Sequence, residues 1–589
     1  MKEFDFGTED LSGKIAEIKK KSGSLSFLRL LLFIGIGITG ILSISQTLVW
    51  AIPFIFIIGF FVVSIQKYNF LKDQEAIYLA LKDIIAKKEL RIARNLKSIE
   101  NGIDFQDKSH PFANDLDLFG DHSLFQLVNH TVTKGARVKL SNLMKSPFDQ
   151  EMAKKLQDAS QELSLNPGFL RAIESSGKAF YSEEKKNTNW QNWLGNKKDI
   201  SLILAVLAFL GPIGGLTVII LVALGLIPSA LLGLWVLIGF IPLGFVFKSL
   251  KEASDKLPFR SQLKAFSTWL RELEKINFDS NLLKEKQHHI LRNEISASQL
   301  FNQLDRLGLW IDNRINILYI PFNLLLWTDL FLARKLQLWI NQHGEEMSKI
   351  PELLEDWELL VSLGAFEKEI GFQSQVTWTD DANLFVENIS HPLLNPDKAV
   401  SNDFRLGDLK RFVLLTGANM SGKTTFMRTL GINCVMVNMG LKPYADNFTM
   451  GNFQLYTSMR NTDNLGESVS SFYAELSRIH TLIERLENGE KIFFLLDEIL
   501  KGTNTEDRIA GSEALIRQVA KTPGFGIVST HDIELSALEG KIEVVENRSF
   551  HSEILDDTIN FDYKLKQGPC PSFNAHKLME LMGIKFQDQ

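Results

Sequence analysis

The sequence predicts a multidomain chain, in which a largely α-helical body that carries two apolar hairpins is followed by an α/β domain with a parallel sheet. Two long stretches, one between Arg29 and Lys67 and one between Asp199 and Lys248, contain no charged side chain. Most of the remaining sequence up to about residue 372 has the period of amphipathic helices. From about residue 376, short β-type runs alternate with helical stretches, which is typical of a parallel-sheet α/β domain.

Composition sets only broad limits. The 589 residues carry a net charge of −6, which does not indicate a nucleic-acid-binding chain, although a basic surface is compatible with an acidic total. The two cysteines, Cys434 and Cys570, lie far apart and have no metal-ligand spacing around them. They are predicted to be reduced thiols in a reducing compartment.

The apolar stretches predict two transmembrane hairpins, at residues 26–66 and 199–248, the first of them preceded by a cytoplasmic segment at 1–25. A spanning helix needs about 20 apolar residues, so the second stretch is long enough for two helices and the first fits two shorter ones. Lys and Arg flank the outer ends of both hairpins and are absent from both turns. The positive-inside rule then predicts a multi-pass protein of the inner membrane with its ends and its α/β domain in the cytoplasm. Buried helices of a soluble domain are the alternative interpretation.

The helical body is divided by the second hairpin. Residues 67–114 are predicted to form a basic helical linker, 115–198 the first part of a helical core and 249–375 its second part. The Lys and Arg residues of the linker favour a juxtamembrane helix near anionic headgroups, and a nucleic-acid contact is the alternative.

The α/β domain, predicted for residues 376–589, begins with the clearest motif in the chain. The apolar run Phe412–Leu415 is followed by a G-x-x-x-x-G-K-[ST] phosphate loop and then by a helix-forming run, which is the context that this motif requires. The predicted nucleotide-binding residues are Gly417, Ala418, Asn419, Met420, Ser421, Gly422, Lys423, Thr424 and Thr425. Lys423 is expected to reach the β and γ phosphates, and the Thr424 hydroxyl to ligate Mg²⁺. The chain is therefore predicted to bind ATP and Mg²⁺.

Two further strand ends carry the predicted catalytic chemistry. The strand Ile492–Leu496 ends in Asp497, which suits the Mg²⁺ shell, and in Glu498, which can polarise the water that attacks the γ phosphate. A third strand leads into His531, which is expected to contact the γ phosphate, with a purely structural histidine as the alternative. Lys423, Glu498 and His531 form the predicted catalytic set of an ATPase.

The order of phosphate loop, acidic pair and strand-end histidine is that of ABC-type ATPases, and the neighbouring residues resemble the MutS family. The segments that carry the resemblance are 416–428, 496–507, 529–535, 563–568 and 572–574 in the α/β domain, and 116–135 and 357–363 in the helical body. Residues 468–472 stand where the family has its Ser-Thr-Phe signature. The resemblance, which covers about 115–190 and 250–580, implies a MutS-like core and a homodimer in which Ser470 of each subunit completes the ATP site of the other.

The chain departs from MutS proteins that read mismatches. Those proteins carry a Phe-x-Glu wedge in an N-terminal domain, whereas here the MutS-like core begins near residue 115, after a hairpin. The tripeptide Phe385–Glu387 matches the wedge only by coincidence, because it lies just before the phosphate loop, and 266–325 is too brief for a full DNA clamp. The resemblance implies DNA binding linked to mismatch repair or recombination. A membrane mechanochemical ATPase without DNA binding and an ABC transporter, whose Leu-Ser-Gly-Gly-Gln signature is missing from the sequence, are the alternatives.

Overall fold

The computed structural model describes residues 3–45, 48–182, 190–197, 202–291, 296–316, 319–370, 374–407, 409–460, 471–555 and 558–571. Within these ranges the chain is helical up to Ile370, and strands alternate with helices from Gln375 onwards. The predicted combination of a helical part and an α/β part is confirmed at this level. The chain divides into two compact units that alternate along the sequence. Unit 1 comprises Met1–Ala86, Thr131–Ala136 and Asn166–Val361, and unit 2 comprises Lys87–His130, Arg137–Leu165 and Ser362–Gln589.

The α-helices, in chain order, are α1 Leu11–Ser45, α2 Ala51–Ile92, α3 Leu124–Val128, α4 Lys134–Met144, α5 Gln150–Ser164, α6 Pro167–Phe180, α7 Trp190–Gly195, α8 Leu202–Ala223, α9 Ala230–Lys256, α10 Arg260–Lys275, α11 Asn281–Ile290, α12 Ala297–Asn313, α13 Tyr319–Leu326, α14 Thr328–Met347, α15 Ile350–Ile370, α16 Lys423–Asn438, α17 Ser471–Glu487 and α18 Thr505–Val519. The strands are β1 Gln375–Trp378, β2 Leu384–Ile389, β3 Asn402–Leu406, β4 Phe412–Gly417, β5 Asn447–Met450, β6 Gln454–Ser458, β7 Ile492–Asp497, β8 Phe525–Thr530, β9 Val545–Leu555 and β10 Thr558–Gln567.

Four helices, α1, α2, α8 and α9, are long and apolar enough to cross a membrane, by length and composition. Their large apolar side chains are exposed to an extent that is unfavourable in water: Leu202 is 80% exposed and Phe245 is 81% exposed. The helices α8 and α9 pack against each other. The rings of Phe33 in α1 and Phe61 in α2 lie 6.4 Å apart.

The helices α1 and α2 extend well beyond the apolar run that the sequence predicts as a hairpin at 26–66. The reason is that the apolar pattern continues as an amphipathic one outside this run. Leu11, Ile15 and Ile18 of α1 are buried in one cluster with Ile77 and Leu81 of α2. The spacing of three to four residues keeps these side chains on one face of each helix.

The rest of unit 1 is a helical body around large buried side chains. The indole of Trp269 in α10 is buried and donates a hydrogen bond to the carbonyl oxygen of Ile173 in α6 (2.8 Å). The Glu358 side chain of α15 accepts hydrogen bonds from the backbone N–H (3.0 Å) and the hydroxyl (2.5 Å) of Thr133. Burial raises the pKa of Glu358 to about 7 in spite of these bonds.

Unit 2 contains two sheets. The strands β1, β5, β2 and β3 form a four-stranded sheet in that order, and the other sheet has the order β10-β9-β4-β8-β7-β6. In the second sheet β4, β8, β7 and β6 are parallel neighbours, β9 is parallel to β4, and β10 is antiparallel to β9. The three strands that carry the predicted motifs, β4, β8 and β7, are therefore adjacent. Their carboxyl ends meet at one edge of the sheet, which is where open parallel sheets bind ligands.

Candidate functional site

The loop between β4 and α16 contains the predicted phosphate-binding residues. Gly422 has a φ of 104° and Met420 a φ of 67°, so the chain turns through left-handed conformations immediately before α16 begins at Lys423. A glycine adopts such a φ without steric cost, which explains its place at this turn. The backbone N–H groups of the loop and of the first turn of α16 form a place that favours an anion.

Lys423 is buried beneath this loop, with 5% of its surface exposed. Its ammonium group donates hydrogen bonds to the carbonyl oxygens of Gly417 (2.7 Å) and Ala418 (3.1 Å). Burial lowers the pKa of Lys423, whereas the nearby carboxylates of Glu498 and Asp497 raise it. The side chain thus supplies a desolvated cation that is held by the loop itself.

Asp497 lies at the end of β7 beside the first turn of α16. Its carboxylate accepts a hydrogen bond from the Thr424 hydroxyl (2.6 Å) and another from the Ser529 hydroxyl at the end of β8. Oxygen donors of this kind are the ligands that Mg²⁺ prefers. Among the described residues no group of three or more His, Cys, Asp and Glu side chains is placed to hold a metal. A Mg²⁺ ion at Thr424 and Asp497 would therefore take most of its ligands from phosphate and water.

Glu498 follows Asp497 and has a left-handed backbone, with φ of 50°. One oxygen of its carboxylate is 2.5 Å from His531 Nε2, and the other forms an ion pair with Lys501. The hydrogen bond with His531 and the ion pair with Lys501 together lower the pKa of Glu498 to about 2, although burial opposes this change. The carboxylate is therefore ionised at neutral pH and is held by two cationic or hydrogen-bonding partners.

Lys501 is a residue that the sequence reasoning did not select. Its side chain reaches Glu498 because Leu500, between them, also has a left-handed backbone with φ of 61°. No local sequence signal marks that turn. A second such residue is Arg508 of α18, whose guanidinium makes a paired contact with the Asp532 carboxylate (2.8 and 2.7 Å). This pair ties the residue after His531 to α18, and the Arg508 hydrogen bond lowers the pKa of Asp532.

A cavity of about 480 Å³ opens beside the phosphate loop. Of the predicted residues, 418–425 and Glu498 line it. Asp497 and His531 are joined to these residues by the hydrogen bonds described above. The rest of the lining, called the apolar end because apolar side chains predominate in it, includes Ile389, His391, Leu394, Lys398, Val400, Asn402, Phe550 and Tyr563. Sequence reasoning missed this end because its residues come from segments that are distant in the sequence and carry no common motif.

The apolar end of the cavity is suited to a flat, weakly polar group. Apolar and aromatic side chains predominate there, which is typical of sites for small organic ligands. Burial lowers the pKa of His391 to about 4, so the imidazole is neutral at pH 7. A cavity that is lined by a phosphate-binding loop on one part and by mainly apolar side chains, with Lys398 and Asn402 among them, on the rest is suited to a nucleotide. The predicted trans residue Ser470 lies outside the described residues.

Comparisons with known proteins agree with these features. Residues 413–584 match the family model of MutS domain V. The chain is 30% identical over 240 residues to the DNA mismatch repair protein MutS of Staphylococcus epidermidis, which covers 40% of this chain and 27% of that protein. It is 27% identical over 248 residues to the DNA mismatch repair protein MutS of a Thermotoga species, covering 42% and 31%. It is 25% identical over 232 residues to the Endonuclease MutS2 of Clostridium novyi, covering 39% and 29%. The chain spans less than a third of the length of these relatives.

Proposed function

Since residues 413–584 carry MutS domain V and make the chain a MutS-family protein, we propose that it is a membrane-anchored ATPase that binds and hydrolyses ATP as a homodimer and engages DNA. One observation carries the ATPase part of this proposal. Lys423, the Thr424–Asp497 pair and the Glu498–His531 pair come together at the carboxyl ends of three adjacent parallel strands, beside a cavity of nucleotide size.

The cavity suggests how ATP binds. The phosphates lie along the loop 417–425, where backbone N–H groups and the start of α16 favour negative charge. The Lys423 ammonium group, which donates to two loop carbonyls, turns to the β and γ phosphates when they arrive. The base lies against the apolar end near Ile389 and Tyr563. Thr424 and Asp497 would hold Mg²⁺, which would supply positive charge against the transferred phosphoryl group.

Hydrolysis is assigned to Glu498, with His531 as its partner. The ionised Glu498 carboxylate accepts a hydrogen bond from water and orients it for attack on the γ phosphate. In the structure this carboxylate is held by His531 and Lys501. The γ phosphate is an anion and competes for both of these groups, so nucleotide binding would release Glu498 toward the water. The partner of His531 thus depends on whether the γ phosphate is present.

The dimer is proposed from the family resemblance. In such ATPases the signature serine of one subunit contacts the nucleotide of the other, and Ser470 occupies that place in the sequence. Sedimentation of the detergent-solubilised chain with and without ATP tests it directly. A species of twice the monomer mass that forms with ATP and is lost in Ser470→Arg supports the assignment, and a monomer under all conditions opposes it.

The membrane setting is proposed from α1, α2, α8 and α9. These helices have the length and composition to cross a bilayer, and their large side chains are exposed. With Lys and Arg at their outer ends, they form two hairpins of the inner membrane in contact with lipid, and the ATPase lies in the cytoplasm.

DNA binding is the part of the proposal that rests on relatives alone. Two of the similar proteins are named DNA mismatch repair proteins, and a third is named an endonuclease. A second candidate is a membrane mechanochemical ATPase that does not bind DNA. It is favoured by two arginines of the predicted basic linker: Arg91, at the end of α2, and Arg94, just after it, are buried and donate to the carbonyl oxygens of Asn129 (2.7 Å) and Pro392 (2.7 Å). These two arginines are therefore not available to phosphate groups of DNA.

A binding survey separates the two candidates. Detergent-solubilised full-length chain is titrated with duplex, branched and mismatched DNA in the presence of ATP, ADP or no nucleotide, over a range of salt concentrations. Binding that weakens as salt rises supports DNA engagement, because released counterions drive phosphate contacts. The absence of binding to every DNA at low salt would favour the mechanochemical ATPase.

A further inference from the structure

A third apolar segment lies between Arg314 and Asp329, outside both hairpins. Residues 315–328 contain no charged side chain. This segment is too short to span a bilayer, since a stretch of 10–14 apolar residues is more typical of a buried helix, a re-entrant segment or an interfacial one. It does not form a buried helix, because Ile315 is 87% exposed, Ile320 47% and Phe322 62%. Residues 317–318 lie outside the described residues.

The segment is seated against the second pair of apolar helices. Its helix α13 and the following residue pack on both α8 and α9. Trp327 is only 2% exposed, and its ring is stacked on that of Trp235 in α9, with centroids 4.4 Å apart and an interplanar angle of 5°. The Trp235 indole N–H donates to the carbonyl oxygen of Leu325 (2.8 Å).

Glycines of α8 and α9 leave the space in which Leu325 and Trp327 pack, and this packing site is called the seat of the segment. A Cβ atom at Gly211 of α8 would lie 2.6 Å from the Cβ of Trp327. A Cβ at Gly215 would meet the carbonyl oxygen of Leu325, and one at Gly239 of α9 would meet the Trp327 indole nitrogen. Trp327 also has a left-handed backbone, with φ of 48°. Such a conformation costs about 1–3 kcal/mol for a bulky residue and persists only where the surroundings hold it.

The depth of the segment follows from its neighbours on α9. Trp327 contacts Gly239, whereas the Arg314 guanidinium lies over the ring of Phe247, the last residue before Lys248. Eight residues of helix separate Gly239 from Phe247, which corresponds to about 12 Å. The apolar core of a bilayer is about 30 Å thick, so Trp327 would lie near its middle if α9 spans it.

The two chain ends of the segment are tied together. The Arg314 guanidinium contacts the Asp329 carboxylate at 3.0 and 2.8 Å, and the Tyr319 hydroxyl donates to the same carboxylate (2.8 Å). Asp329 is only 4% exposed. Ionisable groups at membrane depth are expected to be paired in this manner. Because the two ends of the segment contact each other, the chain enters the segment and leaves it on the same side of the membrane.

We infer that residues 315–316 and 319–328 belong to a re-entrant membrane segment, which enters the bilayer from the cytoplasmic side next to α8 and α9 and turns back toward that side after Trp327. Its exposed side chains, Ile320 and Phe322 among them, contact lipid acyl chains. The bilayer is the occupant that fits, because the segment is continuous with the exposed apolar surface of α8 and α9. This inference rests on the proposed membrane setting of those two helices.

Depth-dependent quenching tests it. Three variants of the chain each carry one new cysteine: Phe322→Cys, Phe245→Cys or Leu165→Cys. Each is labelled with an environment-sensitive fluorophore and reconstituted into phosphatidylcholine–phosphatidylglycerol vesicles that contain spin-labelled lipid. Phe245 reports the proposed hairpin, and Leu165, which is 79% exposed on unit 2, is the aqueous control. The wild-type chain, labelled in parallel, gives the background from the buried Cys434 and Cys570.

The expected result is quenching at Phe322 as strong as that at Phe245, with none at Leu165. Quenching at Phe245 without quenching at Phe322 would overturn the re-entrant segment and leave the hairpin standing. No quenching at either position would overturn both the segment and the proposed membrane setting.

A pair of glycine variants tests the seat. Gly239→Leu removes the space that Trp327 occupies, whereas a Cβ atom at Gly244 of the same helix would meet nothing within 4 Å. We expect Gly239→Leu to reduce the quenching at labelled Phe322→Cys, and Gly244→Leu to leave it unchanged. Equal quenching in the two variants would overturn the docking geometry from which the depth is inferred.

Discussion

Replacement of the Glu498 carboxylate by an amide is the most informative change at the candidate site. Glu498→Gln keeps the size of the side chain and an oxygen that can accept a hydrogen bond from His531. In the structure His531 Nε2 lies 2.5 Å from the Glu498 carboxylate. The variant also keeps the backbone N–H that donates to the Ser529 carbonyl oxygen (3.0 Å). What it removes is the charge that orients and polarises the attacking water.

The expected magnitude follows from these contacts. Loss of a positioned general base lowers the rate by about 10²- to 10⁴-fold, which corresponds to about 3–5 kcal/mol in the activation barrier. Stability should change little, since the lost ion pair is with Lys501, which is 46% exposed, and an exposed pair contributes about 0.2–1 kcal/mol. ATP affinity should be retained, because Lys423 and Thr424 are unchanged. The ATP-bound dimer should therefore accumulate.

The assay measures phosphate release by the detergent-solubilised chain, together with nucleotide binding and the ATP-dependent mass of the particle. Glu487→Gln is the matched control, because this residue is exposed at the carboxyl end of α17 and lies outside the cavity. Turnover by Glu498→Gln at the wild-type rate would refute the assignment of Glu498. A loss of ATP binding would show instead that the Glu498 carboxylate is needed to keep the phosphate loop in its binding conformation.

Three other changes test separate parts of the structure. Lys501→Met removes one of the two partners that lower the pKa of Glu498 to about 2, so the acid limb of the ATPase pH–rate profile should move to higher pH, and an unmoved limb would contradict the ion pair. Gly422→Ala places a Cβ on a backbone with φ of 104°, which costs about 1–2 kcal/mol and should lower ATP affinity about five- to thirtyfold. Gly540→Ala is its control, because a Cβ there would meet the Ala537 carbonyl oxygen at an ordinary contact distance of 3.9 Å. Glu358, whose pKa is raised to about 7, stabilises the fold while it is protonated and loses that contribution as the pH rises from about 4.5 through 7. Glu358→Gln should therefore reduce the fall in melting temperature between pH 5 and 8, measured by thermal unfolding in detergent, and an identical pH dependence would contradict the buried acid.

The phosphate loop, the acidic pair and the strand-end histidine could be located from sequence because their chemistry is local. Each requires an apolar strand followed at once by a particular residue, and such patterns are visible within about ten residues. The structure places the strands that carry these motifs, β4, β8 and β7, next to one another in one sheet. Ser470, which the sequence resemblance assigns to the partner's site, stays a prediction.

Contacts that depend on distant segments could not be predicted. The apolar end of the cavity combines Ile389 at the end of β2 and His391 just after it with Tyr563 of β10, and no residue pattern links these positions. Lys501 pairs with Glu498 across a short turn in which Glu498 and Leu500, with Ile499 between them, have left-handed backbones. The helices α1 and α2 extend beyond the predicted hairpin at 26–66 because an amphipathic pattern continues each helix beyond its apolar run.

The segment 315–328 escaped the sequence reasoning because it is shorter than a spanning helix and follows amphipathic helices. Its character becomes visible only with the side-chain exposure of Phe322 and the seat of Trp327 between α8 and α9. Both are properties of tertiary packing, which composition alone does not carry.

Turnover by the Lys423→Ala variant tests whether the cavity beside the phosphate loop is a site of ATP hydrolysis. Mg²⁺-dependent release of phosphate from ATP is measured in detergent for the wild-type chain and for Lys423→Ala. The control is Lys521→Ala, which replaces an exposed lysine. We expect turnover by the wild type and by Lys521→Ala, and none above background by Lys423→Ala, because the buried ammonium group is then missing from the loop. Equal turnover by Lys423→Ala and the wild type would contradict the account.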